Sequence, residues 1–298
     1  MATDLSPRRA AELQSVVTRA CEQMDLDPTG AELIKYTVNA VYRLRSAPVV
    51  VRIGSGRVGA VRGDRTVTVA RWLAARDGPV ITLFDGADPI EIDGQFTVTF
   101  WHELATSLRW TAADLASPLR ELHRIAPDTS LPPWDPFSNA AHRLDEADTV
   151  IPHSDLDWLR DQWSEVETQY RACEASLPMG LIHGDPHTGN LLRDTAGKIV
   201  LCDLDEAGIG PLAWDLVPQA VGAVRFNRAG FYRDFVNAYG TDVRVQPSWP
   251  VLARIRELIM VTSVLPDLGE RPGVAAQHAH RLQSLRSGDT TATWSLYT

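Results

Sequence analysis

The chain has 298 residues, 44% of them hydrophobic and 22% charged, so it is long enough for two lobes or one large domain with a substantial core. Its formal net charge of −9 argues against a general nucleic-acid binder, because such proteins are usually basic. No apolar run is long enough to cross a bilayer, and the first residues lack the apolar core of a signal peptide, so no membrane partner is expected. Three widely separated cysteines predict neither disulfides nor a metal site, which is typical of the cytoplasm.

The first hundred residues predict a small antiparallel sheet with one inserted helix. Amphipathic spacing indicates helices, and stretches rich in Tyr, Thr and Val with alternating polarity indicate strands. In chain order we expect a helix over 7–24, two or three antiparallel strands within 32–54, a helix over 65–78 ended by Gly78, and strands over 79–86 and 95–104.

From residue 111 the pattern becomes mainly helical. In chain order we expect a Thr-capped helix over 111–125, a proline-rich loop over 131–139, a long helix over 154–177, a short buried strand entering an acidic turn over 198–208, and helices after 213 with breaks near 241–250 and 266–273. The sequence therefore predicts an α+β protein with a β-rich lobe over 1–104 and an α-rich lobe over 105–298.

The stretch "LIHGDPHTGNLL", residues 181–192, concentrates polar side chains between apolar ones. One interpretation is a zinc site formed by His183, Asp185 and His187, as in loops of metallohydrolases. Such a site needs further ligands, and the other histidines form no second cluster. Among them, His123 lies in a helical pattern and is expected to be a packed core residue.

The other interpretation is a site for magnesium and a phosphate ester. Asn190 follows Asp185 by five positions, and Asp203 ends an apolar strand, with Asp205 two positions later. Magnesium prefers oxygen ligands, and phosphoryl transfer needs a group that accepts the proton of the attacking hydroxyl. Asp185 as the base, with Asn190 and Asp203 on the metal, gives each residue a role. The zinc interpretation leaves Asn190 and Asp203 without one.

Three segments together carry a resemblance to a known family. "HGDPHTGN" resembles the catalytic loop of the aminoglycoside phosphotransferase family, "LCDLDEAG" its metal-binding segment and "AWDLV" the motif that follows. The resemblance implies a bilobal protein-kinase-like fold, with a nucleotide-binding sheet lobe, a hinge near 99–105 and a helical catalytic lobe. It also implies transfer of the γ-phosphate of ATP, with Mg²⁺, to a hydroxyl group.

The resemblance assigns roles within the catalytic loop. Asp185 resembles the catalytic base, and His183 the residue that ties the loop to neighbouring backbone. Asp215 is expected to hold the loop by hydrogen bonds, and His187 to be structural.

The same resemblance assigns the metal ligands. Asn190 and Asp203 resemble the residues that bind magnesium. Asp205 stands where the family often has an acidic residue, and it either assists the metal or caps the turn.

The nucleotide contacts are expected in the sheet lobe. Arg52 stands where the family has its ATP-positioning lysine, and Asn39 is either a phosphate contact or a turn residue. Trp101 and Glu103 lie in the segment that resembles the link between the lobes, whose backbone would bind adenine. Trp101 either packs on the base or belongs to the core.

One departure from the family lies on the inserted helix. A glutamate that pairs with the lysine is expected near Thr66–Val67, and none is present. Either Asp64 substitutes for it, or Arg52 is held without that pair. An arginine binds phosphate in a different geometry from a lysine.

The sequence leaves several classes of acceptor open. Residues 105–298 hold 17 Lys/Arg against 25 Asp/Glu, so a cationic acceptor would be attracted there, and Glu257, Asp267 and Glu270 are candidate contacts or else solvated surface charges. The sequence leaves open an antibiotic, a metabolite such as an amino alcohol, and a Ser/Thr hydroxyl of a short peptide. A nucleotide-binding pseudokinase that acts as a scaffold is the alternative from another class.

Overall fold

The computed structural model describes residues 5–36, 39–106, 109–147, 150–270 and 272–297. The chain divides into two compact units. One comprises Met1–Trp110, Arg124–Pro132 and Thr188–Gly208, and the other comprises Thr111–His123, Pro133–His187 and Ile209–Thr298. The boundary expected from sequence, between 104 and 105, stays a prediction. In the described part of the chain, no helix is long and apolar enough to span a membrane.

The first unit contains a five-stranded antiparallel sheet in the order β1-β2-β3-β5-β4. Its elements are α1 (Pro7–Gln23), β1 (Glu32–Tyr36), β2 (Ala40–Arg43), β3 (Val49–Ser55), α2 (Gly56–Ala74), β4 (Ile90–Ile92) and β5 (Phe96–His102). The predicted small sheet with one inserted helix is confirmed, as is the leading helix, and the two or three strands expected within 32–54 are three.

Alternation along β3 decides which side chains can serve a site. Val49, Val51 and Ile53 are buried in the core that the sheet shares with α1. Because successive side chains of a strand point to opposite faces, Arg52 projects from the other face. It lies opposite Thr99 of β5.

The inserted helix begins nine residues earlier than the sequence predicted and ends at Ala74. Its first half is rich in glycine, which usually indicates a loop. Here glycine permits close packing: a Cβ on Gly59 would lie 2.5 Å from the carbonyl carbon of Gly54, and one on Gly63 would lie 2.7 Å from Thr97. The glycines are required by tertiary contact, which the local sequence does not reveal.

The strand predicted over 79–86 is wrong. Only isolated bridges form there, Val80 with Leu201 and Leu83 with Trp101, followed by a short 3-10 turn. Asp85 and Gly86 both have positive φ, and such residues cannot continue a strand. The edge strand is instead β4, which the sequence analysis missed.

The first unit also contains a two-stranded hairpin that follows the catalytic-loop motif. It consists of β7 (Leu191–Arg193) and β8 (Ile199–Leu201), with Leu191 opposite Leu201. This confirms the short buried strand that was expected to enter an acidic turn.

The second unit is mainly helical. It contains α3 (Ala112–Leu122), α4 (Pro136–Asp145), α5 (His153–Cys173), β6 (Met179–Ile182), β9 (Gly208–Pro211), α6 (Val217–Arg225), α7 (Ala229–Tyr239), α8 (Trp249–Thr262) and α9 (Pro272–Arg286). Strands β6 and β9 pair with each other. Thr111 caps α3 in a capping box, as the sequence predicted.

Two expectations for this unit need correction. The loop expected over 131–139 ends at Asp135, whose side chain caps α4, and Pro136 is the first helical residue. A capping aspartate followed by proline is a helix start that the sequence displayed and the analysis missed. Residues 287–297 are not helical, contrary to the expectation that everything after 213 is helical.

Candidate active site

The catalytic-loop motif is held by the buried carboxylate of Asp215. Strand β6 ends at Ile182, and the backbone N–H groups of His183 and Gly184 donate to the two oxygens of Asp215, at 2.7 and 2.8 Å. Asp215 is fully buried, so this pair of charge-assisted hydrogen bonds fixes the loop entering Asp185. The holding role predicted for Asp215 is confirmed.

Further side chains of the second unit complete this support. The ring Nε2 of His123 lies 2.9 Å from Asp215, and its Nδ1 lies 2.7 Å from the Tyr239 hydroxyl. The indole of Trp214 donates to the Gly184 carbonyl at 2.6 Å, and Gln219 donates to that of Pro186 at 2.7 Å. His123 is buried, as predicted, but its bond to Asp215 joins residues 92 positions apart, which the sequence alone could not show.

Asp185 is surrounded by cationic and titratable groups. The guanidinium Nη1 of Arg256, on α8, lies 2.8 Å from its Oδ1, and the ring Nε2 of His187 lies 4.0 Å from its Oδ2. The backbone N–H of Asp185 donates to His183 Nδ1 at 3.3 Å. Burial acts to raise the pKa of Asp185, but the charges of Arg256, His187 and His183 outweigh it and hold that pKa below its ordinary value. Arg256 is not among the residues that the sequence pattern singles out.

The zinc interpretation gains no support from this geometry. Within the described ranges, no group of three or more His, Cys, Asp or Glu side chains is placed to hold a metal ion. The ring of His183 is fully buried and accepts a hydrogen bond from the loop itself. Within the described residues, His183 therefore stabilises the conformation of the loop by accepting the Asp185 N–H.

In the first unit, Asn190 and Asp203 lie at the same end of the β7–β8 hairpin. Asn190 precedes β7 and Asp203 comes two residues after β8, and the Cys202 N–H donates to the Asn190 carbonyl at 2.9 Å. The hairpin therefore brings the backbone of Asn190 next to the residue that precedes Asp203. Amide and carboxylate oxygens fit Mg²⁺, which takes few protein ligands and keeps the rest of its shell for water and phosphate.

Asp203 has a backbone conformation that is uncommon outside glycine, with φ of 65°. Such strain is retained when surrounding structure imposes it, and it is frequent at functional sites. The side chain of Asp203 keeps 38% of its surface exposed, in contrast to the nearly buried Asp205.

Asp205 is instead occupied by donors of its own unit. Its Oδ1 accepts from the Thr66 hydroxyl at 2.9 Å, and its Oδ2 accepts from the guanidinium of Arg52 and, at 3.4 Å, from the Asn39 amide. Arg52 also lies 3.8 Å from Asp203 Oδ1. The structure thus brings together four residues that the sequence analysis assigned to nucleotide or metal, and it adds Thr66.

The missing glutamate of the inserted helix is explained by this arrangement. Asp64 is exposed and does not replace it. Helix α2 supplies hydrogen-bond donors in place of a carboxylate. The Thr66 hydroxyl donates to Asp205 at 2.9 Å, and the Arg62 guanidinium lies 2.9 Å from the Glu206 carboxylate. Burial acts to lower the pKa of Arg62, but the neighbouring carboxylates, Glu206 first, raise it above its ordinary value.

The sequence match that decides the family covers the catalytic loop, the hairpin and most of both units. Residues 35–258 match the model of the phosphotransferase enzyme family. The chain belongs to this family. The predicted resemblance and the prediction of a phosphotransferase enzyme are therefore confirmed. A search of curated proteins gives no match.

Solved structures of kinases that act on small molecules are similar to this phosphotransferase. The choline kinase LicA from Streptococcus pneumoniae aligns over 93% of this chain and 98% of its own, with a TM-score of 0.65 and 11% identity. A choline/ethanolamine kinase family protein from Mesorhizobium loti aligns over 93% and 94%, with a TM-score of 0.60 and 19% identity. The aminoglycoside phosphotransferase APH(3'')-Id from Streptomyces rimosus aligns over 83% and 98%, with 0.60 and 17%. At these identities the likeness shows the fold, and the predicted protein-kinase-like α+β fold is confirmed.

Trp101 and Glu103, the two remaining residues expected to contact the nucleotide in this phosphotransferase, have different environments. Trp101 is buried in the sheet and its indole donates to Thr99 at 2.9 Å, which favours the core alternative over a stacking contact with adenine. Glu103 donates its backbone N–H to the Pro48 carbonyl at 2.8 Å, and its carboxylate lies 3.4 Å from Arg43. A backbone contact of Glu103 with adenine would therefore use its carbonyl.

The candidate acceptor contacts are only partly described. Glu257 is neither an open contact nor a solvated surface charge, because its carboxylate pairs with the buried Arg225 at 2.5 Å. The side chains of Asp267 and Glu270 lie outside the described residues. The charged side chain of α8 that contacts the candidate base is the cation Arg256.

Proposed function

We propose that this phosphotransferase transfers the γ-phosphate of ATP, with Mg²⁺, to a hydroxyl of a small molecule. The observation that carries the proposal is the position of Asn190 and Asp203 at one end of the β7–β8 hairpin, where the Cys202 N–H donates to the Asn190 carbonyl. Asp185, five residues earlier in the chain, belongs to a loop whose conformation is set by Asp215. Phosphoryl transfer requires oxygen ligands for magnesium and a carboxylate held in a fixed position to accept the hydroxyl proton. Asn190 and Asp203 would be the ligands, and Asp185 would be the carboxylate.

In this mechanism Asp185 orients the acceptor hydroxyl and takes its proton. The acceptor oxygen forms a bond to the γ-phosphorus, the bond from that phosphorus to the bridging oxygen breaks, and ADP leaves with the electron pair. Asn190 and Asp203 would hold magnesium, which supplies charge neutralisation for the phosphoryl oxygens when bound. Most of the acceleration would come from positioning and electrostatics.

Arg52 would steady the phosphates while Asp205 holds it in place. A guanidinium has five N–H donors, so one side chain can bind a carboxylate and a phosphate together. Since both oxygens of Asp205 accept hydrogen bonds inside the first unit, we assign it to positioning Arg52 rather than to the metal. Asn39 would support the same carboxylate.

The acceptor classes left open by the sequence remain part of the proposal. The similar structures include aminoglycoside phosphotransferases and choline kinases, which supports a small-molecule acceptor such as an antibiotic or an amino alcohol. An antibiotic acceptor would make this a resistance enzyme, and a short peptide with a Ser/Thr hydroxyl is the alternative acceptor. We place the reaction in the cytoplasm, where three cysteines without disulfides are expected.

The test is nucleotide turnover with Mg²⁺ over a panel of hydroxyl compounds, comparing the wild type with Asp185→Asn. The proposal expects acceptor-dependent ADP formation that falls at least about 100-fold in Asp185→Asn while ATP affinity is kept. Asp157→Asn, which removes an exposed carboxylate from α5, is the matched control and should retain full activity. Turnover that survives Asp185→Asn would refute the role of this residue.

A pseudokinase is the second candidate, and the pairing of Arg52 with Asp205 in place of a lysine–glutamate pair is the observation that favours it. The two functions differ in the magnesium dependence of ATP binding and in turnover. A phosphotransferase should bind ATP more tightly with Mg²⁺ and lose that gain in Asn190→Ala. A scaffold that binds nucleotide without catalysis should show no turnover with any acceptor and should keep partner binding in Asp185→Asn.

A further inference from the structure

The contact between Arg256 and Asp185 has a consequence for the chemistry of the acceptor. The guanidinium lies 2.8 Å from the carboxylate, and only 14% of the Arg256 side chain is exposed. Resting on the proposed function, we propose that Arg256 recognises a carboxylate or phosphate group carried by the acceptor close to its reactive hydroxyl. The enzyme would then select anionic hydroxyl compounds over cationic ones.

Geometry requires the acceptor to approach Arg256. A hydroxyl that gives its proton to Asp185 must lie about 2.6–3.2 Å from that carboxylate. A substituent one or two carbons away from the hydroxyl then lies within a few ångströms of the guanidinium. An ammonium there would meet a poorly hydrated like charge, whereas a carboxylate or phosphate would form charge-assisted hydrogen bonds.

The other charged side chains of α8 do not offset the repulsion between Arg256 and a cationic acceptor. Glu257, its neighbour in sequence, is already paired with the buried Arg225 at 2.5 Å. Arg254, two residues before it, donates to the neutral amide of Gln162. Among the described side chains of this helix, the one carboxylate is therefore already paired, and none is left to neutralise an ammonium of the acceptor. The helix thus favours an anion beside Arg256.

The donors of Arg256 are also incompletely used. Its Nε is buried and has no hydrogen-bond partner among the described residues. A buried donor without a partner is costly, and a bound anion that draws the guanidinium toward itself would supply the missing acceptor. Movement of Arg256 from Asp185 to the acceptor's anion would also release the carboxylate to accept the hydroxyl proton. Binding of the correct acceptor would thus free the base.

The first experiment measures binding by calorimetry with three probes that differ in charge on the same carbon chain: 3-hydroxypropanoate, propane-1,3-diol and 3-aminopropan-1-ol. The inference expects the wild type to bind 3-hydroxypropanoate at least about tenfold more tightly than 3-aminopropan-1-ol. Arg256→Gln should abolish that preference, and Arg256→Lys should retain part of it. Asp185→Asn should strengthen binding of 3-hydroxypropanoate, because it removes the internal competitor for the guanidinium.

The control is Arg254→Gln, which removes the same charge from the same helix but lies against Gln162, and it should keep the preference. Equal or tighter binding of 3-aminopropan-1-ol by the wild type overturns the inference. So does a failure to bind 3-hydroxypropanoate, or a preference that Arg256→Gln leaves unchanged. If Arg256→Gln does not fold, Asp185→Asn still decides, since weaker or unchanged binding of the anion contradicts competition for Arg256.

Turnover separates this inference from the proposed function. The second experiment compares ADP formation with glucuronate, glucose and glucosamine, and with larger anionic and cationic hydroxyl compounds such as sugar phosphates and aminoglycosides. Turnover confined to cationic acceptors would uphold the phosphotransferase and overturn the role of Arg256. Absence of turnover with every acceptor would count against the proposed function, while the binding experiment would still decide the inference.

Discussion

Two aspartates that stand two positions apart after β8 have opposite environments. Asp203 is strained and partly exposed, whereas both oxygens of Asp205 accept hydrogen bonds from side chains of its own unit. A carboxylate whose lone pairs are used by fixed donors is poorly suited to bind an exchangeable metal, and one that faces solvent is better suited. The same residue type thus supports two roles, and the environment distinguishes them.

The anchoring role of Asp205 predicts the behaviour of Asp205→Asn. Arg52 and Asp205 are both nearly buried, with 12% and 10% of their side chains exposed, so the substitution removes the nearer anion of a buried guanidinium and leaves it Asp203 at 3.8 Å. We expect a loss of about 3 kcal/mol in the free energy of unfolding, measured by denaturant titration. Saturating Mg²⁺ and ATP should restore part of it, because phosphates would replace the carboxylate.

Asp64→Asn is the matched control for this experiment, since Asp64 is an exposed aspartate on α2. It should change the free energy of unfolding by less than about 0.5 kcal/mol. A loss in Asp64→Asn as large as that in Asp205→Asn would contradict the assignment of Asp205 as the anchor of Arg52.

The pH dependence of kcat/KM gives a second prediction at the residue scale. Burial raises the pKa of Asp185, and Arg256, His187 and His183 together lower it further than burial raises it. The proposed base therefore stays deprotonated until the pH falls below the ordinary range of aspartate, and activity should not decline on its account between about pH 8 and 5. Arg256→Gln removes the largest opposing charge, so the acidic limb should move to higher pH.

The measurement is a pH profile of kcat/KM with a saturable acceptor, for the wild type and Arg256→Gln. Arg254→Gln serves as the control because it removes a charge from α8 without contacting Asp185. An acidic limb that stays in place or moves to lower pH in Arg256→Gln would contradict the electrostatic account.

The junction of β3 and α2 shows how glycine sets the position of an element. Gly54 near the end of the strand and Gly59 in the first turns of the helix approach so closely that their backbones are in contact. Helix α2 carries Thr66, and β3 carries Arg52, so this approach also brings the two donors to Asp205. The helix tolerates glycines of low helix propensity because the packing requires them.

Gly59→Ala tests this directly. The added Cβ would lie 2.5 Å from backbone of β3, which cannot move aside as a flexible side chain can. We expect a loss of about 2 kcal/mol or more in the free energy of unfolding, comparable to overpacking in a core. Gly230→Ala in α7, where a Cβ meets only the far end of Arg233 at 4.0 Å, should be neutral or stabilising by up to about 1 kcal/mol. Equal effects of the two substitutions would refute the packing explanation.

At the scale of the whole molecule, the features that could be predicted are those carried by local pattern. The order of strands and helices follows from periodicity, and the candidate base and metal ligands follow from the spacing of Asp185, Asn190 and Asp203. What could not be predicted depends on contacts between residues far apart in the chain. Arg256 contacts Asp185, 71 positions away, and Thr66 contacts Asp205, 139 positions away. Nothing in the local sequence distinguishes Arg256 or Thr66 from a surface residue.

The C-terminal tail illustrates the same limit in the second unit. A helix was expected there, and residues 287–297 instead form an irregular segment anchored by long-range contacts. Trp294 is buried, its indole donates to Ser284 at 3.0 Å, and its backbone N–H donates to the Arg225 carbonyl at 2.5 Å. The guanidinium of Arg281 stacks over Tyr297, 3.6 Å from the ring centre.

Trp294→Ala should therefore destabilise the protein although it lies in an irregular tail. The substitution removes a large buried side chain, leaves Ser284 without its donor and uncovers the face of Arg225, whose guanidinium lies 4.9 Å from the indole. By analogy with other buried aromatic residues, the free energy of unfolding should fall by about 3–5 kcal/mol. Leu296→Ala, two positions later and 73% exposed, should change it by less than about 0.5 kcal/mol. Denaturant titration of the two variants compares them directly, and a loss below about 1 kcal/mol for Trp294→Ala would mean that the tail is not an integral part of the helical unit.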